Sequence, residues 1–237
     1  MDLGIQGRVA LVGAASKGIG RAIAAALAAE GAQVAITSRS RERIDAAALA
    51  TGSHGYVLDS SDLDAMPALI NAVESDLGPI DILVTNTGGP PGGADPLSFT
   101  REQWEAAHRD LVLAPITLIE RVLPAMRERG FGRVLNVSSS SVREPIPTLM
   151  LSTAHRAGMS GAFKTLAQLV AADGVTVNTI LPGRIATDRV FDNAGSREAG
   201  EQAAKDTIAA GRLGTVEPPP WPPFCARRAR RTSLARA

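Results

Sequence analysis

A glycine-rich segment near the start of the chain has the residue types and spacing to bind a diphosphate group. The apolar run Val9–Val12 leads into Gly13, Gly18 and Gly20, and an alanine-rich amphipathic stretch then continues to Glu30. A strand, a tight turn and a helix in this order bring unpaired N–H groups and the positive end of a helix dipole to one point. Glycine lets an anion approach the backbone closely. The segment therefore predicts a dinucleotide-binding turn, and the alternative is a turn that only reverses the chain.

Polar residues and glycines also follow four later apolar runs. They are Asp59, the triplet 86–88 (Asn-Thr-Gly), the pair 138–139 (Ser-Ser) and the pair 182–183 (Pro-Gly). Open α/β sheets bind ligands at the carboxyl ends of their parallel strands. If these runs are strands of one parallel sheet, all four groups lie at the same edge as the glycine-rich segment.

Apolar, β-branched runs alternate with helical patterns through most of the chain. The predicted strands are Val9–Val12, Gln33–Thr37, Gly55–Leu58, Ile80–Thr85, Arg133–Val137 and Val175–Leu181. The predicted helices are Gly18–Ala29, Arg41–Ala50, Asp62–Leu77, Arg101–Arg129 in two pieces and Leu151–Ala172. Continuous apolar strands indicate burial on both faces and hence a parallel sheet. The alternation predicts one doubly wound, Rossmann-type α/β domain of three layers over residues 1–217.

Composition limits the function classes further. The 237 residues suit one domain, and with 45% hydrophobic but only 3% aromatic residues its core must be aliphatic. No apolar run approaches the roughly 20 residues of a membrane span, and no secretory signal is visible. The single cysteine, Cys225, excludes a disulfide or a cysteine metal cluster within one chain. We therefore expect a cytoplasmic protein with no metal site and no membrane partner.

The charge is distributed unevenly along the chain. Residues 218–237 are rich in proline and arginine and hold five of the 25 basic residues and no acid, which leaves 20 basic and 24 acidic residues elsewhere. The main body therefore offers no nucleic-acid surface.

The tail is interpreted as irregular, and the alternative is a basic segment that binds acidic partners. Either a reading-frame shift, which we favour, or a true variant lacking the last edge strand explains the abrupt change after Glu217.

Taken together, these motifs and their spacing resemble the short-chain dehydrogenase/reductase family from about residue 5 to residue 217. The triplet 86–88 is similar to the family's Asn-Ala-Gly motif, and Ser139 falls where the family places its catalytic serine. The resemblance implies an oxidoreductase that interconverts a carbonyl and an alcohol on a small-molecule or acyl-thioester substrate. The 3-oxoacyl-(acyl carrier protein) reductase branch is the most similar in general character. The resemblance to the family also implies a homo-oligomer, either a dimer or a tetramer. The altered C-terminus, however, removes a region that the family uses for contacts between subunits.

The resemblance and the charge pattern together predict a nicotinamide cofactor. The residues assigned to it are Gly13, Ser16, Lys17, Gly18, Ile19, Gly20, Arg39, Asp59, Asn86, Gly88, Pro182, Gly183 and Thr187. An enzyme selective for NAD would carry an acid where this chain has Arg39. Because Arg39 and Lys17 suit a 2′-phosphate, NADP(H) is favoured over NAD(H). The alternatives are that Arg39 is a solvated loop charge and that Asp59 caps a helix.

The chain departs from the family at the residues that carry protons. Ser152 stands where the family has tyrosine, and Arg156 stands where it has lysine. Leu111 replaces an asparagine, and Ala14 replaces the first glycine of the fingerprint. Serine lacks the reach of a phenol, whose reference pKa is about 10, and is far less acidic. Arginine can donate to ribose hydroxyls but cannot relay a proton.

If the chain catalyses the reaction, another side chain must therefore replace the family's tyrosine as the proton donor. His155 follows Ser152 by three residues, near the same helix face, and its ordinary pKa suits proton transfer. The alternatives for His155 are a position on the helix surface or in a subunit interface. We interpret the chain as an enzyme that uses Ser139, with Ser152 or His155 as the proton donor and Arg156 at the ribose. The second hypothesis is a catalytically impaired NADP(H)-binding sensor or subunit.

Overall fold

The computed structural model describes residues 2–93 and 95–216, so the tail predicted for 218–237 lies outside the described residues. Its strands are β1 Val9–Val12, β2 Gln33–Ser38, β3 His54–Val57, β4 Ile80–Thr85, β5 Gly132–Val137 and β6 Val175–Ile180. Its helices are α1 Gly18–Ala29, α2 Arg41–Thr51, α3 Met66–Leu77, α4 Arg101–His108, α5 Ala114–Glu128, α6 Met150–Val170, α7 Asp188–Ala194 and α8 Arg197–Thr207.

The six strands form one parallel sheet in the order β3-β2-β1-β4-β5-β6. Leu11 at the centre lies opposite Ala35 on one side and Leu83 on the other. The strand order reverses between β1 and β4, which is the topological switch point where such sheets bind ligands. The doubly wound parallel fold predicted from the sequence is confirmed.

Alternate residues of the buried strands pack against helices on opposite faces of the sheet. Val9 and Leu11 belong to one apolar cluster, which also contains buried residues of α3, α5 and α6. Ala10 and Val12 belong to a second cluster with buried residues of α1 and α2. A strand with both faces covered must be apolar throughout, which explains the continuous runs seen in the sequence.

Two predicted helices differ from the structure by more than the one or two residues at the ends that separate prediction and structure for α2 and α6. The helix predicted from Asp62 begins at Met66, because the Asp62 carboxylate accepts a hydrogen bond from Ala65 N (3.1 Å) and holds a turn there. The helix predicted in two pieces is divided by a π-helical segment, Arg109–Leu113, that joins α4 to α5. The capping box between Thr100 and Gln103 is present at the start of α4.

Two helices of the structure, α7 and α8, are absent from the predicted set. Gly195 ends α7 in the left-handed region (φ 85°), and Ser196 caps α8 by accepting a hydrogen bond from Ala199 N. Both are ordinary helix-end signals that could have predicted these helices. Within the described residues β6 is the outermost strand, and none of the helices found there is long and apolar enough to cross a membrane.

Candidate functional site

The glycine-rich turn is held in place from the β4 side. The Asn86 side chain donates from Nδ2 to the carbonyl oxygens of Gly13 (3.0 Å) and Ala14 (3.2 Å). A Cβ on Gly13 would overlap the Asn86 carbonyl oxygen, and one on Gly20 would lie 2.7 Å from Asn86 Nδ2. Asn86 therefore fixes the turn that precedes α1, and only glycine fits at the two points of closest approach.

The N-terminus of α1 is open. No side chain caps it, since the extended N-cap residue is Lys17, and Gly18 starts the helix in the left-handed region (φ 61°). Ser16 and Ile19, which flank this point, are half-buried. Uncapped N–H groups at a helix N-terminus are an anion-binding feature, so this point could hold the diphosphate of a nucleotide.

Ala14 adopts a conformation that suits glycine. Its φ of 46° lies in the left-handed region, and among the described residues no other non-glycine residue does so. The Ala14 N–H donates to Thr37 Oγ1 (3.3 Å), and the next N–H, that of Ala15, donates to the Thr37 carbonyl oxygen (2.9 Å). Thr37, at the end of β2, thus holds the alanine in a backbone conformation that costs about 1–2 kcal/mol for an L-residue.

We predict that Gly13→Ala destabilises the protein by about 1–3 kcal/mol, because the new methyl group collides with a backbone carbonyl that cannot rotate away. Thermal and urea unfolding measure the change. Gly88→Ala is the matched control, since a Cβ there meets nothing within 4 Å. We expect the control to stay within about 0.5 kcal/mol of the parent. Equal stability of the two variants would contradict the packing at Gly13.

The residues predicted for the adenosine end lie beside the β2 and β3 ends of the sheet. Arg39 and Asp59 are both exposed. The Asp59 carboxylate accepts hydrogen bonds from the backbone N–H (3.0 Å) and hydroxyl (2.8 Å) of Ser61. The backbone bond is the main cause of the lowered pKa of Asp59, and the charge of Arg39 contributes in the same direction. Asp59 is thus an ionised turn residue within electrostatic reach of Arg39.

Lys17 has an acidic partner in this structure. Its ammonium group lies 2.9 Å from the Asp188 carboxylate at the start of α7, and both side chains are largely exposed. The pKa of Asp188 is lowered by this hydrogen bond and by the Lys17 charge. If Lys17 contacted the 2′-phosphate of a nucleotide, its ammonium group would leave the exposed Asp188 carboxylate and pair with the exposed phosphate instead.

Asp110 is a further acid at this end of the molecule, and it is not among the residues predicted from the sequence. It lies in the π-helical segment, and its Oδ1 is buried without a hydrogen-bond partner in the described part of the chain. Burial is the main cause of the raised pKa of Asp110, and the charge of Asp59 adds to it. No motif or spacing in the sequence marks this residue.

Ser139 follows β5 and presents a hydroxyl suited to a substrate oxygen. The Ser139 Oγ accepts a hydrogen bond from Ser141 N (3.1 Å), so its own hydrogen stays available to donate. The next residue is tied to the segment after β6, because Ser140 N donates to the Pro182 carbonyl oxygen (2.9 Å). These two contacts orient the turn that carries Ser139.

Ser152 and Arg156 lie one helical turn apart on α6 and are hydrogen-bonded. Arg156 donates from Nε to Ser152 Oγ (3.1 Å) and from Nη1 to the carbonyl oxygen of Val137 (2.6 Å), the last residue of β5. Burial, with a smaller contribution from the charge of Arg189, lowers the pKa of Arg156 to about 10. The guanidinium is therefore charged at neutral pH and ties α6 to the carboxyl edge of the sheet.

The structure places His155 in a different group of side chains. Its Nδ1 is 2.7 Å from the Leu151 carbonyl oxygen. Its ring lies 5.6 Å from Trp104 and 5.8 Å from His108, both on α4. The structure brings Ser152 and Arg156 together and directs His155 toward α4, so a proton-donor role for His155 stays a prediction without a contact to support it.

The segment after β6 contacts residues on both sides of the switch point, at the start of α1 and in the loop after β4. A Cβ on Gly18 would lie 3.5 Å from the Thr187 side chain, so Thr187 sits over the start of α1. Arg189 donates to the carbonyl oxygens of Gly89 (3.0 Å) and Pro90 (2.8 Å) in the loop after β4. Gly183, at the start of this segment, has open space around its α-carbon. Arg189 lies on α7, which is absent from the predicted helices, and no motif marked this residue in the sequence.

The chain is similar in sequence to known reductases. A family model described as enoyl-(acyl carrier protein) reductase matches residues 13–218. The chain is 34% identical over 215 residues to a 3-oxoacyl-[acyl-carrier-protein] reductase of Haemophilus influenzae, covering 90% of this chain and 87% of that protein. It is 38% identical over 211 residues to an acetoacetyl-CoA reductase of Rhizobium meliloti, covering 89% and 86%.

Two solved structures have the same architecture. L-sorbose reductase from Gluconobacter frateurii, complexed with NADPH and L-sorbose, superposes with a TM-score of 0.84 at 28% identity, covering 92% of this chain and 88% of that one. A 3-oxoacyl (acyl-carrier-protein) reductase from Agrobacterium tumefaciens with NADP bound gives the same TM-score and identity, covering 91% and 85%.

Proposed function

Since the chain belongs to the short-chain dehydrogenase/reductase family, a family of oxidoreductases, we propose that it interconverts a carbonyl and an alcohol with NADP(H), acting on 3-oxoacyl-type compounds. One observation carries the proposal. The uncapped N-terminus of α1 and the Ser139 hydroxyl lie at the same carboxyl edge of the sheet, on either side of the switch point. The first could hold a nucleotide diphosphate and the second a substrate oxygen.

The residues present fit a nicotinamide nucleotide placed across the switch point. The turn from Gly13 to Gly20 would hold the diphosphate, and Arg39 and Asp59 would lie beside the adenosine. Arg156 would donate to the hydroxyls of the nicotinamide ribose, since it has N–H groups that Ser152 and Val137 do not use. When bound, the reduced nicotinamide supplies a hydride to the carbonyl carbon.

The chain's own residues then stabilise and protonate the carbonyl oxygen of the substrate. Ser139 donates a hydrogen bond to the carbonyl oxygen, which stabilises the negative charge that develops there. Ser152 supplies the proton, directly or through a water molecule. Because the Arg156 cation donates to Ser152 Oγ, it favours the deprotonated form of that hydroxyl and makes it a better acid. The product alcohol receives one hydride on carbon and one proton on oxygen.

The function is tested in two steps. NADPH is first titrated into the protein by fluorescence, and its oxidation is then followed with ketones and 3-oxoacyl thioesters. We expect saturable binding and slow turnover that exceeds the rate in buffer. A second function, a nucleotide-binding protein without turnover, is favoured by the serine and arginine at positions 152 and 156. Binding without turnover on any substrate would select it.

For the preference between cofactors, we predict that Arg39→Ala raises the dissociation constant for NADPH by about tenfold and leaves that for NADH unchanged. A charge-assisted hydrogen bond to a phosphate is worth about 1.5–3 kcal/mol, and exposure reduces this value. Parallel fluorescence titrations with both nucleotides measure the effect. Arg41→Ala is the control, because Arg41 is paired with Asp45 on α2. An equal loss of affinity for both nucleotides would contradict a 2′-phosphate contact.

A further inference from the structure

The loop after β4 is tied to α7 by one side chain. Arg189 donates from Nη1 to the carbonyl oxygen of Gly89 (3.0 Å) and from Nη2 to that of Pro90 (2.8 Å). Two hydrogen bonds from one rigid guanidinium group fix both the distance and the orientation of the loop. A Cβ on Gly89 would lie 2.5 Å from Arg189 Nη2, so the guanidinium group is packed directly against the backbone at this point.

The same loop is tied at its other end to the segment before α6. Gly93 N donates to the carbonyl oxygen of Thr148 (3.0 Å), and a Cβ on Gly93 would lie 2.9 Å from the Phe99 ring. Near the first anchor, Pro90 is buried, and its ring fixes its backbone φ. We call residues 89–93 the strap. To move outward, the strap must break the hydrogen bonds at one or both of its ends.

The order of the strands places the strap across the end of β5. In the sheet, β5 lies between β4 and β6. The strap follows β4, whereas its partners Arg189 and Thr148 follow β6 and β5 respectively. The hydrogen bonds of Arg189 therefore connect chain segments that leave the sheet on the two sides of β5. Ser139, which follows β5 directly, leaves the sheet between these two segments.

The two hydroxyl groups that the proposed function uses are withdrawn from solvent in this arrangement. Ser152 lies in the first turn of α6, close in the chain to the anchor at Thr148, and is only 8% exposed. Ser139 is half-buried. By contrast, a Cβ on Gly88 or on Gly183 would meet nothing within 4 Å, so open space remains beside the ends of β4 and β6. A compact substrate therefore has room next to Ser139, on the inner side of the strap.

We infer that the strap limits the length of the substrate, so that the preferred compounds carry a 3-oxobutanoyl group rather than a longer 3-oxoacyl chain. This inference rests on the proposed function and narrows it from 3-oxoacyl compounds in general to the shortest of them. Arg189 is then a positioning residue, because it acts on the substrate through the strap. At an unobstructed apolar surface, burial of additional methylene groups would favour the longer chain, so the inference predicts the opposite order.

The test compares the 3-oxobutanoyl and 3-oxooctanoyl thioesters of N-acetylcysteamine, which differ only in the length of the acyl chain. Calorimetric titration of the full chain saturated with NADP⁺ measures both dissociation constants, since an oxo compound does not react with the oxidised nucleotide. We expect the parent to bind the butanoyl compound at least about tenfold more tightly. Arg189→Met, which keeps the length of the side chain but has no donor, should reduce this preference to about twofold or less.

Two further variants and two further readouts isolate the role of Arg189. Arg189→Lys, which can still donate to a carbonyl oxygen, should retain part of the preference. Arg184→Met is the matched control, because Arg184 is exposed in the same segment and its contact with Gly214 is made by its backbone carbonyl. The peptide containing Gly93 should exchange its amide hydrogens at least about fivefold faster in Arg189→Met than in the control. In turnover, the gain should appear in the KM of the octanoyl compound, whereas a general structural defect would lower kcat with both compounds.

The outcomes separate the inference from the proposed function. Equal or tighter binding of the octanoyl compound by the parent, with NADP⁺ binding intact, overturns the inference and leaves the function standing. An unchanged preference in Arg189→Met, at any rate of hydrogen exchange, also overturns it. A preference for the butanoyl compound in a chain that does not bind NADP⁺ supports the role of the strap and rejects the function. Far-UV circular dichroism confirms that each variant is folded.

Discussion

Replacing Ser139 with alanine should lower kcat/KM by about 10²–10³-fold and leave the dissociation constant for NADPH within about twofold of the parent value. The Ser139 hydroxyl has its oxygen engaged by Ser141 N and its hydrogen free, so it is placed to donate to a developing oxyanion. A hydrogen-bond donor of this kind stabilises the transition state more than the ground state. The fall in kcat/KM should therefore come mainly from a lower kcat.

The measurement combines steady-state NADPH oxidation with fluorescence titration of the same preparations. Ser140→Ala is the matched control, because the contact of Ser140 with Pro182 is made by its backbone N–H and survives the change. We expect the control to keep the parent's kcat/KM. Unchanged turnover in Ser139→Ala would remove Ser139 from the reaction, and the assignment of the substrate oxygen to this edge of the sheet would then be wrong.

Restoring a tyrosine and a lysine should have the opposite effect. We predict that the double variant Ser152→Tyr with Arg156→Lys raises kcat by about 10²–10⁴-fold, which is the usual contribution of a positioned general acid. A phenol is far more acidic than a serine hydroxyl and extends farther from the helix. Ser152 and Arg156 are already one turn apart and hydrogen-bonded, so the two new side chains would point to the same space.

The two single variants show whether the pair acts as a unit. We expect Arg156→Lys alone to give no gain, because Ser152 remains the donor, and Ser152→Tyr alone to give part of the gain. The rate of the double variant should also depend on pH through the new phenol, with the rate of carbonyl reduction falling as the phenol loses its proton. A folded double variant with parent kcat and no such ionisation would show that proton supply does not limit the reaction.

Local patterns in the sequence were sufficient for most of the scaffold. The bounds of β1, β4 and α1 were predicted to the residue, and those of the other strands to within one residue. The central strands β1 and β4 are buried along their whole length and are therefore predominantly apolar runs in the sequence. The glycine-rich turn and the polar strand ends likewise follow from chemistry that is encoded within a few neighbouring residues. The family could be recognised from the same short motifs.

The tertiary structure alone decided which side chains meet. Nothing in the sequence pairs Lys17 with Asp188, 171 residues away, or Arg189 with the loop at Gly89. The same holds for His155, which shares a helical turn with Ser152 and yet packs against α4. Periodicity and capping report on the backbone over one or two turns, whereas a contact across the cleft depends on how separate elements are stacked. Local sequence patterns therefore suffice for the sheet and its glycine-rich turn, whereas the packing of α4, α6 and α7 around that sheet sets which side chains meet at the ends of β4 and β5.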